Sequence, residues 1–293
     1  MGILQVEDRV DQMKLIIGMP WYDGADVTCT ARFMDFMMYL GELRDRSMWR
    51  KALGHEKFME LIDTLPKLDP DGPDAEACEP TEEDWIRMGE LQIGLLDYTR
   101  TSLPGKAREL ICESALQWDA DYVLMWDDDM RFEKSMFLRL WRHDKPIVAA
   151  LAFTAREPYN PVIMTIRETR DKVTAQRMMV SDFVLDYPKN QLIGNKEVDG
   201  ALAFGTGVFL CNTDVFRQIP QPWFESTGAG EDFFFCYKCE EHGVARYVDT
   251  ATKTRHKQWD STFIDEDYYE AFRKLNPKIY EERFPNAMVE GKA

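Results

Sequence analysis

Long apolar runs and positive charge are both in short supply in this sequence. The longest uninterrupted apolar stretch, residues 147–153, is too short to cross a bilayer. The first residues lack the charged-then-apolar pattern of a secretion signal. Lysine and arginine number 36 against 52 acidic residues, so the formal net charge is -16, which works against passive attraction to nucleic acid or anionic membranes. We therefore expect a cytoplasmic protein with no membrane partner.

Cysteine is scarce and scattered. Six cysteines are spread over 293 residues, a chain large enough to bury a core without disulfides, so reduced thiols are expected. Cys236 and Cys239 form a C-x-x-C, but no second pair follows at zinc spacing and both lie in a predicted apolar helix. We interpret them as packed thiols rather than as a metal or redox site.

Predicted strands and helices alternate along the chain, which is typical of an α/β fold with a mostly parallel sheet flanked by helices. The strands are predicted at residues 14–20, 92–98, 122–126, 146–153, 183–187, 201–211 and 244–250. The helices are predicted at residues 26–43, 48–65, 105–118, 130–141 and 231–242. Residues 66–84 are rich in proline and acidic residues and cannot bury apolar area, so they are predicted to form a mobile surface loop inserted between core elements.

Three aspartates, Asp127, Asp128 and Asp129, directly follow the predicted buried strand 122–126. Carboxylates this close repel one another unless a cation or strong donors offset the repulsion. Ligands of open α/β sheets bind outside the carboxyl ends of the strands. The triplet therefore predicts a metal site, with a solvated acidic turn as the alternative.

Charged groups also mark the starts of two predicted helices. Lys106 and Arg108 lie in a first turn, where basic side chains beside free N–H groups can bind phosphate; two solvated cations are the alternative. Glu231 and Asp232 follow a glycine-containing loop and precede three phenylalanines, which favours a desolvated carboxylate acting as a base. Simple complementarity to the helix dipole would also explain that pair.

A fourth charged segment follows the last predicted strand. His256 lies there among Lys253, Arg255 and Lys257. Such a cluster of cations would need an anionic partner, such as a diphosphate held by a metal.

In this order the segments resemble the metal-dependent GT-A glycosyltransferases, in particular the small bacterial and phage-encoded ones. The resemblance covers roughly residues 14–257 and includes the Pro-Trp loop at Pro20 and a Gly-Thr-Gly strand at residues 205–207. It implies a Rossmann-like nucleotide-binding half, a Mn²⁺ or Mg²⁺ ion, and a nucleotide-sugar donor, most simply a UDP-sugar. A single catalytic domain at 1–257, with an insertion at about 44–88, would precede a helical tail or lid at 258–293.

The resemblance also implies roles for individual residues. Asp129 would ligate the metal, Asp127 would reach the metal or the ribose, and His256 would be the third protein contribution. Asp232, or alternatively Glu231, matches the acidic residue at the acceptor site. The residues implied in nucleotide binding are Pro20, Arg108, Asp127, Asp128 and Lys257.

The acceptor and the reaction stay open at this point. The acceptor hydroxyl could belong to a modified DNA base, a protein serine or threonine, or a glycan, and the oligomeric state is unknown. A sugar-phosphate nucleotidyltransferase is an alternative, although that class normally has a glycine-rich basic loop where this chain continues from Pro20 into Trp-Tyr-Asp-Gly. A catalytically inactive nucleotide- or carbohydrate-binding protein is a third possibility.

Overall fold

The computed structural model describes residues 12–20, 27–66, 68, 79–97, 103–170, 177–226, 230–258 and 262–284. Most of the predicted acidic loop lies outside the described residues, as do residues 21–24 after the first strand, residues 101–102 before the basic helix, and residues 228–229. Residues 259–261, at the start of the predicted tail, also lie outside them.

The described part of the chain alternates strands and helices. Its first half contains β1 (Gln12–Met19), α1 (Val27–Leu53), α2 (His55–Ile62), α3 (Glu82–Met88), β2 (Glu90–Asp97), α4 (Pro104–Gln117), β3 (Tyr122–Trp126), β4 (Met130–Phe132), α5 (Met136–Arg142) and β5 (Ile147–Leu151). Its second half contains β6 (Ile163–Arg170), β7 (Arg177–Phe183), β8 (Leu192–Ile193), β9 (Ala201–Phe204), β10 (Val208–Asn212), α6 (Asp214–Gln218), α7 (Glu231–Glu241), β11 (Tyr247–Lys257), β12 (Phe263–Ile264), α8 (Glu266–Leu275) and α9 (Pro277–Arg283).

A mostly parallel sheet forms the centre of the molecule, in the order β12-β11-β5-β10-β3-β1-β2. Strands β2, β1, β3, β5 and β11 run in one direction, and β10 runs against its neighbours β3 and β5. Helices cover the sheet, which confirms the predicted α/β class. A second, three-stranded sheet contains β7, β6 and β9.

Strand β3 shows why the central sheet is buried on both faces. Val123 and Met125 belong to one apolar cluster, with Ile111 of α4. Leu124 and Trp126 belong to the other, with residues of α1 and α5. Because alternate side chains of a strand point to opposite faces, only a continuously apolar strand can pack into both clusters.

Within the described residues, no helix is both long and apolar enough to cross a lipid bilayer.

Four predicted elements are wrong in their bounds or type. The helix predicted at 130–141 is instead strand β4 followed by α5, because β4 pairs with β11 far along the chain. The helices predicted at 26–43 and 48–65 are divided instead at Gly54, whose φ of 79° ends α1. The strand predicted at 183–187 is replaced by β7, which ends at Phe183. Strand β7 forms a hairpin with β6, a strand that was not predicted from the sequence.

The last parallel strand is longer than the predicted residues 244–250. Strand β11 continues to Lys257 after a register shift between Asp249 and Lys253, so His256 lies on the strand rather than after it. Beyond it, α8 and α9 pack against the main core through Tyr269 and Tyr280, both buried. The described part of the predicted tail is thus continuous with that core.

Candidate functional site

The carboxyl end of β3 places Asp127 beside the turn between β9 and β10. Its N–H donates to the carbonyl of Gly207 at 2.8 Å, and its own carbonyl accepts from the Met130 N–H at 3.0 Å. A Cβ on Gly207 would lie 3.6 Å from Asp127 Oδ2, so the turn passes close to the carboxylate. These backbone contacts fix the direction in which Asp127 leaves the sheet.

Arg108 of α4 reaches two acidic residues of the site. One nitrogen, Nη2, donates to both carboxylate oxygens of Asp127 at 2.6 and 2.8 Å. The other, Nη1, donates to Glu231 Oε1 at 3.1 Å. The Arg108 side chain is only 2% exposed. From α4, Arg108 thus reaches the end of β3 and the start of α7, where it neutralises Asp127 and Glu231. Its predicted contact with a phosphate stays a prediction.

The pKa of Asp127 is raised by its surroundings. Burial raises its pKa to about 7; Arg108 opposes that shift, while the charges of Asp129 and Asp232 add to it. Three carboxylates therefore lie close enough to influence one another. Such an arrangement favours the approach of a cation, which would relieve the repulsion.

Asp129 and His256 meet at the rim of the same site. His256 Nε2 lies 3.1 Å from Asp129 Oδ2. The other ring nitrogen, Nδ1, lies 2.7 Å from the carbonyl oxygen of Phe153, and since a carbonyl can only accept, Nδ1 carries a proton. Burial disfavours the charged imidazole, but the hydrogen bond and charge of Asp129 outweigh burial and raise the pKa of His256.

The two side chains suit a divalent cation in donor type and orientation. In protein metal sites, a histidine ligand usually donates its second ring N–H to a carbonyl or carboxylate, as His256 does. Across the described ranges no group of three or more histidine, cysteine, aspartate or glutamate side chains is arranged to hold a metal. Asp127 is engaged by Arg108 instead. Magnesium is ordinarily held by one or two carboxylates together with substrate phosphates, and Asp129 supplies one such carboxylate. His256 supplies an imidazole nitrogen, a ligand that softer divalent cations prefer.

Asp232 of α7 lies close enough to Asp127 for the two charges to interact. The hydroxyl of Thr206, in the turn between β9 and β10, donates to Asp232 Oδ1. Thr206 is fully buried, so this bond holds the carboxylate in a defined position. Glu231, its neighbour in α7, is tied to Arg108. The two acids of the predicted pair thus have different partners.

A cavity of about 520 Å³ joins these groups. Asp127, Asp232 and His256 line one end, and the rest of the lining is largely apolar, including Phe153, Val162, Phe183 and Phe284. Among the described residues that line it, Arg156 is the only one with a permanent positive charge. The size is that of a small-molecule site.

The remaining predicted residues occupy varied positions. Pro20 is buried directly after β1, and Asp128 is half-buried beside Asp127. Lys257 donates its backbone N–H to the Asp129 carbonyl at 2.9 Å, which ties β11 to the triplet. Their predicted contacts with a nucleotide stay predictions.

The structure confirms that the two cysteines of the C-x-x-C are packed, free thiols. Cys236 and Cys239 are fully buried in α7. Burial raises the pKa of Cys236 to about 12 and also raises that of Cys239, so both stay protonated at neutral pH.

Two buried polar residues near the site, Thr206 beside Asp232 and Asn160 in the cavity lining, were not predicted from the sequence. Thr206 belongs to the Gly-Thr-Gly break, which marked the turn but not the hydroxyl's partner. Asn160 lines the cavity from the loop before β6 and is only 1% exposed. Nothing in the sequence around Asn160 marks it, because its position depends on how residues 154–162 fold back on β5 and its neighbours.

The sequence matches no known family model and no curated protein. Solved structures show distant similarity. A197 from STIV is 12% identical, with a TM-score of 0.43 over 87% of this chain and 94% of that one. The inositol-1-phosphate CTP transferase from T. maritima is 12% identical, with a TM-score of 0.37 over 90% and 96%. The nucleoside-diphosphate-sugar pyrophosphorylase from Vibrio cholerae RC9 is 12% identical, with a TM-score of 0.30 over 89% and 99%. Similarity at this level does not identify a family.

Proposed function

We propose that this chain is a glycosyltransferase that moves a sugar from a nucleotide-sugar donor to a hydroxyl acceptor. The observation that carries the proposal is the convergence of Asp127, Asp232 and His256 on one end of a small-molecule cavity. Asp129 lies at the rim of the same end, bonded to His256. Groups that could bind a divalent cation and a candidate base thus lie side by side.

The reaction requires one bond to form and one to break. The acceptor oxygen bonds to the anomeric carbon of the donor sugar, and the bond from that carbon to the diphosphate oxygen breaks. The acceptor hydroxyl proton goes to Asp232, which Thr206 holds in position through Oδ1. Arg108 keeps Asp127 directed into the site. A divalent cation bound by Asp129 and His256, beside Asp127, would neutralise the charge growing on the leaving diphosphate.

The main alternative is a sugar-phosphate nucleotidyltransferase, and two of the solved structures with distant similarity are enzymes named for that kind of activity. The same acidic end could hold a nucleoside triphosphate. The co-substrate would then be a sugar phosphate, whose negative charge needs cations. The described cavity lining offers one permanent cation, Arg156, against the carboxylates of Asp127, Glu157 and Asp232. That balance supports a neutral hydroxyl acceptor.

The experiment compares the two donor classes directly. The protein is incubated with Mn²⁺ or Mg²⁺ and either a panel of nucleotide sugars or nucleoside triphosphates plus glucose 1-phosphate. Release of nucleoside diphosphate with sugar transfer supports the proposal, and release of pyrophosphate replaces it with the alternative. Binding without either product would mean an inactive binding protein.

A variant pair links the activity to the site. Asp129→Ala is expected to lose activity and to weaken metal-dependent binding of a nucleoside diphosphate, since it removes a proposed ligand. Asp214→Ala, in the exposed start of α6, is the matched control and should behave as the wild type. Normal activity of Asp129→Ala at low Mn²⁺ would refute the metal assignment.

A further inference from the structure

Helix α1 has an apolar stripe on the side that faces away from the core. Its buried side contributes Phe36, Leu40 and Leu43 to the core cluster around β1. On the outward side, Met34 and Met38 are 55% and 71% exposed. The outward side of a surface helix is normally polar, and exposed apolar strips of this kind mark sites where another molecule binds.

The outward residues of α1 follow a regular spacing. They recur at alternating intervals of three and four residues, at Ala31, Met34, Met38, Gly41, Asp45, Met48 and Ala52. This is the heptad spacing with which one α-helix packs along another. A Cβ added to Gly41 would meet no heavy atom within 4 Å among the described residues, so the middle of the stripe faces open space.

The charges in and beside the stripe are paired within the helix itself. Asp45 Oδ1 accepts from Arg44 Nε and Nη2 at 3.1 and 2.8 Å. Glu42, on one flank, lies 2.5 Å from Arg46. The partner therefore needs an apolar heptad stripe more than it needs charges of one sign. A second copy of this chain presents such a stripe.

We propose that two copies of this chain associate through α1, with the two helices antiparallel. Met34 then lies against Ala52 of the partner subunit, Met38 against the partner's Met48, and Gly41 against the partner's Asp45. A long side chain faces a short one at the ends of the stripe, and Asp45 faces a residue without a side chain, which leaves its carboxylate room to reach water.

The orientation follows from Asp45. In a parallel pair the same heptad positions meet, so the two copies of Asp45 would lie opposite each other and repel. The antiparallel pair separates them. A single polar residue in an apolar heptad stripe commonly sets the arrangement of the helices in this way, at some cost in stability.

The size of the stripe sets the expected affinity. It is about 32 Å long, given a rise of about 1.5 Å per residue. One helix pair of that length reaches only the lower end of specific interfaces, so we expect a dissociation constant on the order of micromolar. Each copy has a net charge of -16, so the copies repel at long range and salt should tighten the dimer. The stripe contains no residue of the candidate site, so the inference does not depend on the proposed function.

Sedimentation velocity at protein concentrations from about 1 to about 200 µM measures the association. The wild type should pass from monomer to dimer over that range, with a dissociation constant that falls severalfold between about 50 and about 300 mM NaCl. Met38→Glu and Met48→Glu should each weaken association by at least about tenfold, because a carboxylate would lose water at the contact. Leu275→Glu, at an apolar residue of α8 that is 79% exposed, is the matched control and should associate as the wild type does. Circular dichroism confirms that each variant is folded.

Disulfide formation tests the orientation. Met38→Cys and Met48→Cys proteins are oxidised separately and as a mixture, in a background with Cys29→Ser and Cys78→Ser that leaves four buried thiols. An antiparallel dimer crosslinks only the mixture, because identical positions then lie about 15 Å apart along the helix axis, beyond the reach of a disulfide. Crosslinking of either protein alone would overturn the antiparallel arrangement.

Three results of the sedimentation experiment would overturn the dimer itself. The first is a wild type that stays monomeric at the highest concentration and salt. The second is unchanged association in both glutamate variants. The third is association that weakens as salt is added, which would indicate an interface held by ion pairs. A monomeric wild type that co-sediments with phosphatidylcholine vesicles would assign the stripe to a membrane surface instead.

Discussion

Arg108 is the buried cation that Asp127 and Glu231 share. Removing one partner of a buried charge cluster leaves the others uncompensated. We expect Arg108→Met to reduce the free energy of unfolding by about 3–5 kcal/mol. Urea denaturation followed by circular dichroism measures the change.

An exposed arginine provides the control for Arg108. Arg217 pairs with Asp119 and Asp214 at the surface and is 40% exposed. Arg217→Met should cost at most about 1 kcal/mol, because solvent screens exposed pairs. Similar small losses in both variants would mean that Arg108 is not needed to neutralise the cluster.

Asp232 and Glu231 differ in their partners, which separates their expected roles. Asp232→Asn should lower turnover by on the order of a hundredfold, because the amide keeps the bond geometry at Thr206 but cannot accept the proton. Affinity for the nucleotide sugar should be nearly unchanged. Steady-state kinetics with a donor-binding titration gives both quantities.

Glu231→Gln serves as the comparison for Asp232→Asn. Because Glu231 is held by Arg108, its loss is expected to affect stability more than turnover. An inactive Glu231→Gln beside an active Asp232→Asn would show that the base is the other acid. A higher acceptor KM with normal turnover in Asp232→Asn would make that residue an acceptor-binding group.

At the scale of elements, the turn between β9 and β10 sets the shape of the cavity. A Cβ on Gly205 would lie 2.7 Å from Val162 Cγ1, whereas one on Gly207 would lie no closer than 3.5 Å to its neighbours. Gly205→Ala should therefore displace Val162 and cost roughly 1–3 kcal/mol of stability, the usual range for overpacking. Gly207→Ala should cost less. Thermal unfolding of the two variants gives the comparison, and equal losses would contradict it.

Strand β4 shows which elements the sequence predicts and which it does not. The continuously apolar β3 was predicted with its observed bounds, because its burial on both faces leaves a direct trace in composition. Met130 and Phe132 are buried in the cluster that contains Trp126 and Phe36, and β4 is a strand because its backbone pairs with β11. That pairing joins residues far apart in the chain, so local periodicity favoured a helix there.

The residues of the candidate site likewise include some that the sequence predicts and some that it does not. Asp127, Asp129, Asp232 and His256 were predicted because charged residues at strand ends and helix starts are visible in sequence. The bond from Thr206 to Asp232 and the buried oxygen of Asn160 were not, since both depend on loops that pack against distant strands. The bonds of Arg108 to Asp127 and Glu231 were not predicted either, and its predicted contact with the nucleotide stays a prediction.

At the scale of the whole molecule, Asp249 makes the free energy of unfolding depend on pH. Its partner His143 follows α5 directly, so the same contact ties α5 to the sheet. Burial acts to raise its pKa, but hydrogen bonds from His143, Thr252 and the Ala251 N–H outweigh burial and lower it. The folded protein therefore holds Asp249 ionised at pH values where the unfolded chain takes up a proton. Its contribution to stability is present above the ordinary aspartate value of 3.8 and is lost as the pH falls through the lower folded-state value.

This linkage can be measured by urea unfolding at about pH 6 and about pH 3. Asp249→Asn should be less stable than the wild type at the higher pH, and the difference should shrink at the lower one. Asp214→Asn, whose side chain is 81% exposed, should follow the wild type at both. A difference that stays constant between the two pH values would show that Asp249 stabilises the fold by packing alone.

The register shift in β11 has a consequence for insertions and deletions in related sequences. Before the shift the strand is fixed by β5, and after it alternate residues, from Thr252 to Thr254, are buried. The irregularity can absorb an inserted residue within 250–252, since a bulge accommodates an extra residue, but at the cost of the bonds from Thr252 and the Ala251 N–H to Asp249. An inserted residue between Lys253 and His256 would turn the imidazole to the opposite face of the strand. Homologues that retain the site should therefore vary in length on one side of Lys253 and keep their length on the other.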